Sequence, residues 1–481
     1  MARPDRRMNL AVARVIPPIL LGIVIYAAYA ITKPLCIDYL INPLPKYHHR
    51  RRVGAGAAII AVFYVLLIPV LGTYLRLLYN VMWAPGFLPR ATPLNPDPQP
   101  ADETSKRHHH RGGPRRKKSR RRSRTTEKAD RPDVDLESGL QYSPASDGAF
   151  STDTEGLEDF YTKDVFVCQP DGRPLYCSTC RRYKPDRAHH CREVDRCVPK
   201  MDHFCPWVGG VVSETSFKFF IQFVFYTMIF CSYCLIVCAV FTAELKRETG
   251  AANAHWAVAM GLAGLFGFFT FGMTLSSLQL ATYNLTTIEN LNRRSAVWTL
   301  AIRIPERILA KLGPNSQWAP TYHTVTYPLP PLPSPIPLPQ QPPPADNNTP
   351  APPDSEPRHP PPAAAPTTLT PTVPYPPPEK QYVFAVLQTL PGENPFDLGS
   401  PIANLQQVMG YTLLSWLLPI KHSPCADHHR RPESVFALGP VVDRLKREAG
   451  LEAPDSPAPD GGARKPGHRH RHRRSHRRDE K

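Results

Sequence analysis

The stretch GAGAAIIAVFYVLLIPVLGTYL, residues 54–75, runs for 22 residues without a charged side chain. A helix needs about 20 such residues to cross a bilayer core of about 30 Å. Two further uncharged runs, residues 219–242 and 256–280, are 24 and 25 residues long. Buried helices of a soluble core are the alternative interpretation, but such helices usually carry a polar face. The three runs therefore predict membrane-spanning helices.

A fourth apolar run, residues 15–31, is 17 residues long and starts with Pro17 and Pro18, which a first helical turn tolerates. A signal peptide is the alternative, since arginines precede the run. No small-residue cleavage site follows it, however. We therefore predict a first span here, preceded by an N-terminal segment, residues 1–14. The predicted fold is an α-helical polytopic membrane protein with four transmembrane helices.

Four spans place both termini and the loop between spans two and three on one side of the membrane. Lysine and arginine do not decide which side, because they are abundant both before the first span and in the hairpin after it. Six of the 11 cysteines fall in the middle loop, spaced for metal rather than for disulfides. Thiolates persist in a reducing compartment. We therefore expect that loop and both termini to be cytosolic.

The formal charge of +17 does not indicate a nucleic-acid-binding domain. The excess of Lys and Arg is concentrated in two low-complexity tracts, residues 106–124 and 461–481. We predict that the first belongs to a disordered basic linker, residues 91–159, which is either solvated or held on anionic lipid. The second belongs to a disordered basic tail, residues 426–481, whose His-rich end could bind metal only adventitiously.

Three further segments follow the fourth span. Residues 284–312 are predicted to be helical. A Pro-rich linker, residues 328–378, cannot hold a packed core and favours extended polyproline conformations. Residues 381–418 return to an ordinary composition, which predicts a folded C-terminal block.

The chemistry is concentrated in LYCSTCRRYKPDRAHHCREVDRCVPKMDHFCPWVGG, within a Cys-rich region predicted at residues 168–215. Cys177 and Cys180 form a C-x-x-C pair, and His190 and Cys197 follow. Three thiolates and an imidazole can close a tetrahedral zinc site, which would be structural because no position remains for water. A redox function is the alternative for a lone C-x-x-C, but no βαβ pattern accompanies it. We predict a zinc-stabilised domain between spans two and three.

Directly after these residues come Asp202, His203 and Cys205. Cys205 lies apart from the predicted ligands and could be a nucleophile, with His203 accepting its proton and Asp202 fixing the imidazole tautomer. A Cys–His pair is suited to thiol acylation, because thioester exchange mainly requires a lowered thiol pKa and aligned reactants. The alternatives are a fifth metal ligand and an inert buried thiol.

The order of C-x-x-C, KPDRAHHC and KMDH-x-CPWV between two spans resembles the DHHC family of protein S-acyltransferases, in particular its fungal Pfa type. Thr286, Thr287 and Glu289 resemble the family's TTxE motif, and Pro85-Gly86 matches the end of a DPG motif. NPFDLGSPIANLQQVMG, which contains Asn394 and Asn404, is similar to its C-terminal motif. The resemblance covers about half of the chain.

The resemblance implies two zinc sites, and only the first set of ligands is complete in this sequence. The second set would fall at Cys191 and at three positions occupied by Val194, Phe204 and Val211. One thiol cannot close a tetrahedral site. We therefore expect one structural zinc per chain and an apolar contact in place of the second. The signature tetrapeptide reads DHFC, with the catalytic His and Cys retained.

The function implied by the resemblance is protein S-palmitoylation in two steps. Cys205 is acylated by palmitoyl-CoA and then passes the acyl group to a cysteine of a membrane-associated protein. The acyl chain would lie among the helices, and the CoA phosphates would need cations. The sequence cannot choose among these candidates: Arg181, Arg182, Arg187, Arg192, Arg196 and Lys200.

Two other classes of function stay open. A catalytically weak or silent membrane adaptor would use the zinc-binding region to hold a partner. A transporter or channel would need ionisable residues inside the spans, and the second, third and fourth runs contain none. No feature indicates nucleic-acid binding.

Overall fold

The computed structural model describes residues 6–47, 50–90, 156–311, 321–328, 380–428 and 431–452. In this part of the chain the α-helices are α1 Arg6–Ala30, α2 Val53–Met82, α3 Glu158–Tyr161, α4 Phe217–Thr249, α5 Ala254–Thr282, α6 Thr287–Leu291, α7 Glu306–Leu309, α8 Pro401–Met409, α9 Leu413–Leu417 and α10 Pro440–Glu448. A π-helix, Ile31–Ile41, continues α1 without a break. Almost all of the predicted Pro-rich linker and most of the two basic tracts lie outside the described residues.

Four helical segments in the described ranges are long and apolar enough to span a membrane. They are α1 with its π-helical continuation, α2, α4 and α5. Their shared core contains aromatic and sulfur-bearing side chains, among them Tyr39, Phe63, Cys238 and Trp256. The prediction of a four-helix membrane protein is confirmed.

The first span differs from its prediction in length and in the position of its prolines. The helix begins at Arg6, so Pro17 and Pro18 lie in its interior rather than in its first turn. The extension is stabilised by tertiary contacts that the apolar pattern does not reveal: Ala13 is fully buried, and Arg6 Nε donates to the carbonyl of Glu193 in the Cys-rich region, 3.0 Å away.

The strands form one four-stranded sheet and three two-stranded hairpins. The bounds are β1 Val165–Val167, β2 Tyr176–Cys177, β3 Arg182–Tyr183, β4 His189–Cys191, β5 Arg196–Val198, β6 His203–Cys205, β7 Gly210–Val212, β8 Thr299–Arg303, β9 His323–Tyr327 and β10 Tyr382–Gln388. The antiparallel sheet has the order β1-β8-β10-β9, and the hairpins are β2–β3, β4–β5 and β6–β7. The hairpins make up the Cys-rich region, and the sheet joins that region to the chain after α5.

The prediction that residues 284–312 are helical is wrong. Only α6 and α7 are helical there, and the strand β8 lies between them. The side chains of Leu300 and Ile302 pack on one face of β8 and Ala301 on the other, and all three are buried. Because β8 is a central strand covered on both faces, these three consecutive residues are all apolar and lack the alternation of a half-exposed strand.

The predicted disordered segments are shorter than expected. Residues 156–159, assigned to the basic linker, begin a folded segment in which Leu157 is buried. Residues 426–428 and 431–452, assigned to the tail, contain α10 and the buried side chains of Phe436, Val442 and Leu445. These side chains pack against β8 and Phe396 in one core. Tertiary burial of a few apolar residues therefore orders a sequence whose composition is mostly polar.

Candidate active site and metal centre

The first metal-ligand set comes together at the ends of two hairpins. Cys177 ends β2 and Cys180 lies in the following turn, while His190 in β4 and Cys197 in β5 face each other across a strand pair. The distances from His190 Nδ1 to the three sulfurs are 3.6, 3.4 and 3.9 Å for Cys177, Cys180 and Cys197. The four ligand atoms lie within 4.8 Å of one another.

This geometry fits a tetrahedral zinc ion. Bond lengths of about 2.3 Å to sulfur and 2.0 Å to nitrogen imply ligand–ligand distances of about 3.5–3.8 Å. The other ring nitrogen of His190, Nε2, lies 3.5 Å from Asp195 Oδ1. A carboxylate in that position orients a metal-binding imidazole. Asp195 is in turn contacted by Arg6 and Arg90. Asp195 lies in the turn between β4 and β5, and no spacing pattern in the sequence predicts its role.

The region of the second expected metal site is an apolar cluster. Cys191 and Val211 are buried with Val198 and Met201, and the partly buried side chains of Phe87, Val194, Phe204 and Ile288 pack against them. Phe204 and Val211 are direct partners across the β6–β7 hairpin. Among the described residues, the one group of four that could hold a metal ion is the first set. Burial raises the pKa of the Cys191 thiol to about 12, so it stays protonated at neutral pH.

The strand β6 separates this apolar cluster from the reactive residues. Side chains alternate between the two faces of a strand, so His203 and Cys205 share one face and Phe204 points to the other. On the shared face His203 Nδ1 lies 2.6 Å from Asp202 Oδ2, and Cys205 is close enough to the ring to contribute to its raised pKa. The structure thus brings the three predicted catalytic residues together and keeps Cys205 out of the metal-ligand group.

The electrostatics of this trio favour a protonated imidazole. Burial alone would lower the pKa of His203, but hydrogen bonds and charge from Asp202 and Cys205 outweigh it and raise the pKa to about 10. An imidazole of this kind can accept the proton of a neighbouring thiol and keep it while the thiolate reacts.

Asp202 is held in place by the segment after α5. Thr287 donates both its backbone N–H and its hydroxyl to the Asp202 carboxylate, at 2.8 and 3.0 Å. The neighbouring Thr286 begins α6 with a capping box, in which its hydroxyl accepts from the amide of Glu289 and Glu289 accepts from the amide of Thr286. The predicted TTxE residues therefore form one turn whose N-terminus faces the Asp202 carboxylate.

A buried ion pair anchors that turn to the Cys-rich region. Arg187 donates to both carboxylate oxygens of Glu289, at 2.7 and 2.6 Å, and the two side chains are 0% and 4% exposed. Burial opposes the charge of Glu289, but Arg187 and the amide of Thr286 outweigh it and lower the pKa of Glu289. Arg187 and Lys200 also donate to the side-chain oxygen of Asn284. The sequence placed Arg187 among candidate phosphate ligands, not in this ion pair.

The C-terminal motif docks on the last turn of α5. The Asn394 side chain donates to the carbonyls of Tyr283 and Asn284, and Asn404 donates to that of Thr282. These carbonyls have no partner within a helix that ends there, so the two asparagines cap α5 from outside. Phe396 packs against the guanidinium of Arg187, 4.8 Å from the ring centre.

A cavity among the membrane helices opens at Cys205. It is lined almost entirely by apolar side chains of α1, α2, α4 and α5. Cys205 and Trp207 of the Cys-rich region also line it. The lining residues of α1 and its π-helical continuation run from Leu20 to Ile31, which corresponds to about 16 Å along a helix axis. Trp207 contacts Phe266 and Phe269 of α5 edge-on or tilted, and Tyr74 Oη donates to its carbonyl. The thiol therefore faces an apolar space between helices.

Two of the six side chains that could bind the CoA phosphates are not available in the structure. Arg187 and Lys200 are buried, and their hydrogen bonds to Asn284 commit them to the fold. The other four lie at or near the surface of the hairpins: Arg181, Arg182, Arg192 and Arg196.

The comparison with known proteins agrees with this site. The family model described as DHHC palmitoyltransferase matches residues 171–294, which include the Cys-rich hairpins, α4, α5 and the TTxE turn. The chain belongs to this family, since its similarity to known members extends over nearly its full length.

Two of those members are named palmitoyltransferase pfa5. The protein of Aspergillus fumigatus is 60% identical over 478 residues, which cover 98% of each chain. The protein of Emericella nidulans is 57% identical over 457 residues, 95% of this chain and 89% of the relative. Palmitoyltransferase PFA3 of Kluyveromyces lactis is 34% identical over 140 residues, 28% of this chain and 43% of its own length. The predicted resemblance to fungal Pfa-type enzymes is confirmed.

Proposed function

We propose that this membrane enzyme transfers a long-chain acyl group, palmitoyl in particular, from acyl-CoA to cysteine thiols of membrane-associated proteins through a thioester on Cys205. The observation that carries this proposal is the position of Cys205, which contacts His203 on one side and lines the apolar cavity on the other. The Cys205 sulfur, as nucleophile, therefore lies beside a base and beside a space for an acyl chain.

In the first step His203 takes the proton of Cys205, and the resulting thiolate attacks the acyl carbonyl carbon. The bond between that carbon and the CoA sulfur breaks, and the CoA thiolate leaves with the proton from the imidazolium. Asp202 stabilises the imidazolium through its 2.6 Å contact with Nδ1. In the second step a substrate thiol gives its proton to His203 and attacks the acyl-enzyme. The Cys205 thiolate leaves and is reprotonated.

Binding of the acyl chain follows from the apolar lining of the cavity. Burial of about 14 methylenes at roughly 0.8 kcal/mol each offers on the order of 11 kcal/mol of gross binding free energy. The CoA moiety stays in water on the side of the Cys-rich region. Cys177, Cys180, His190 and Cys197 would hold one zinc, which supplies no reaction chemistry because four protein ligands close its coordination shell.

The reactive cysteine requires a compartment that keeps it reduced. Every cysteine of the chain is free and buried, and no disulfide joins any of them. We propose that the Cys-rich region and both termini face the cytosol, where substrate proteins also keep free thiols.

The proposal is tested by incubating the purified protein with labelled palmitoyl-CoA and counting hydroxylamine-sensitive label per chain. We expect label on the wild type and on Cys425→Ser, a matched change of a buried cysteine outside the cavity. Cys205→Ser should lose the hydroxylamine-sensitive label. Equal label on Cys205→Ser would contradict a thioester at this position, and no label on the wild type would favour the adaptor function.

A further inference from the structure

The segment Tyr411–Ile420, which includes α9, carries an unusual concentration of exposed apolar side chains. It lies within a stretch, residues 398–420, that contains no charged residue. Six of its ten residues are large, apolar and at least 45% exposed: Tyr411, Leu413, Leu414, Leu417, Leu418 and Ile420. Contiguous exposed surface of this kind marks an interaction site.

The backbone of this segment is attached to one face of the membrane-spanning helix α4. Gln222 Nε2 donates to the carbonyls of Ser415 and Trp416, at 3.3 and 2.8 Å. One turn further along the helix, Tyr226 Oη donates to the carbonyl of Leu417 at 2.8 Å. The neighbouring Phe225, on the outer surface of α4, is itself 37% exposed.

Both ends of the segment meet at a single buried lysine at the start of α4. Lys218 Nζ donates to the carbonyl of Lys421, and a Cβ added to Gly410 would lie 4.0 Å from the same ammonium. Gly410 has φ +98°, and its Cβ would also come within 2.9 Å of the Ser415 side chain, so the entry turn requires glycine. Residues 411–420 therefore start beside Lys218, extend along α4 as far as the side chain of Tyr226 and return to Lys218.

The depth reached follows from helix geometry. Tyr226 lies eight residues beyond Lys218, which corresponds to about 12 Å along the axis of α4. This is the upper value for the depth of the segment, because helical side chains lean toward the helix N-terminus and the Leu417 carbonyl is bonded to Tyr226 Oη. Lys218 directly precedes the uncharged run of this span, so the level of Tyr226 is inside the bilayer.

Several polar groups of the segment are paired within the protein, as a bilayer requires of non-helical backbone. The amides of Trp416 and Leu418 bond to the carbonyls of Thr412 and Leu414. Trp416 Nε1 donates to the carbonyl of Gly410, and the Thr412 and Ser415 hydroxyls bond each other. The apolar side chains are left to face outward.

We propose that residues 411–420 form a re-entrant membrane segment, which enters the leaflet adjoining the Cys-rich region beside α4 and buries its leucines in lipid. Its exposed surface continues the lipid-facing surface of α4, so the occupant is the bilayer rather than a protein partner. The segment joins the C-terminal block to the membrane, next to the core that contains Cys205 and Phe220.

The experiment attaches an environment-sensitive fluorophore at Leu414→Cys in the full chain, reconstituted in phosphatidylcholine nanodiscs with or without nitroxide-bearing acyl chains. Leu390→Cys is the matched control, because Leu390 is 58% exposed but lies in the turn after β10. All 11 native cysteines are buried. The chain without an introduced cysteine, treated with the same fluorophore, gives the background labelling. A melting temperature equal to that of the parent shows that each labelled protein is folded.

We expect nitroxide lipids to lower emission at position 414 by at least about twofold and to leave position 390 unchanged, because only lipid-embedded side chains meet the quencher. Aqueous iodide should show the reverse preference. Quenching of position 414 by iodide, as at position 390, would overturn the proposal. Protection of position 414 from both quenchers would also overturn it, since protein would then cover the surface.

Discussion

The Cys-rich region contains two loops of similar size that are held by different interactions. The loop carrying Cys177, Cys180, His190 and Cys197 brings together four side chains that could hold a metal ion, whereas the loop carrying Cys191 and Val211 closes around an apolar cluster. Structural zinc contributes an apparent 10–16 kcal/mol in small domains through one ion, and a buried apolar side chain contributes about 1.5–3 kcal/mol, so an apolar cluster must act through several residues. Cys205 follows Phe204 of the apolar cluster in β6, so the apolar kind of brace is the one that adjoins it.

The largest expected effect is the loss of the metal centre. Cys180→Ser should release zinc and destabilise the hairpins by at least several kcal/mol, because three ligands and a hydroxyl bind zinc poorly. Cys191→Ser is the matched control. It should keep its zinc and lower the free energy of unfolding only slightly, because Cys191 is a buried side chain and not a predicted ligand. Thermal unfolding and zinc content of both variants give the comparison, and equal loss of zinc would contradict it.

The second effect is the removal of the apolar brace. Phe204→Ala should destabilise the β6–β7 hairpin by less than the roughly 3–5 kcal/mol that truncating a fully buried phenylalanine costs, because Phe204 is only partly buried, and zinc content should be unchanged. Phe204→Leu, which keeps most of the buried volume, should cost less than about 1.5 kcal/mol. If Phe204→Ala were as stable as Phe204→Leu, the cluster would not be what holds this loop.

A smaller effect is expected from the contact between α6 and Asp202. Thr287→Val removes the hydroxyl donor and keeps the shape of the side chain, so the acylation rate should fall about 10- to 100-fold without loss of zinc or of folding. Thr282→Val removes a hydroxyl of a half-buried threonine of α5 that bonds the carbonyl of Gln279 rather than Asp202, and it is the control. Single-turnover labelling measures both rates. An unchanged rate in Thr287→Val would show that the backbone amide of Thr287 suffices.

The smallest effect concerns pH. Because the pKa of His203 is raised from 6.5 to about 10, its contribution to stability is complete below about pH 6.5 and is lost as the pH rises through about 10. We expect on the order of 1 kcal/mol, since a quarter of the side chain faces solvent and the pair is partly screened. Melting temperatures of wild type and His203→Gln should differ most at low pH and converge near pH 10. A constant difference would contradict the raised pKa.

The sequence predicts those features that depend on local pattern. Uninterrupted apolar runs identify the spans, and ligand spacing identifies Cys177, Cys180, His190 and Cys197. The apolar contact among Val194, Phe204 and Val211 is predicted only through the resemblance to the family, whose second ligand set would fall at these positions. These features need no knowledge of which distant segments meet.

Features that depend on distant contacts were not predictable in the same way. Asp195 supports His190 only because the turn between β4 and β5 folds back, and Arg187 pairs with Glu289 across more than 100 residues of chain. Phe436 lies in a polar tail and is buried because the β8 core accepts it. No periodicity in the tail signals that contact.

The central claim, one metal brace and one apolar brace, is tested most directly by the zinc content of the purified protein. Elemental analysis against protein concentration should give one zinc per chain, for the wild type and for Cys191→Ser alike. Two zincs per chain in the wild type, or a loss of zinc on changing Cys191, would contradict it.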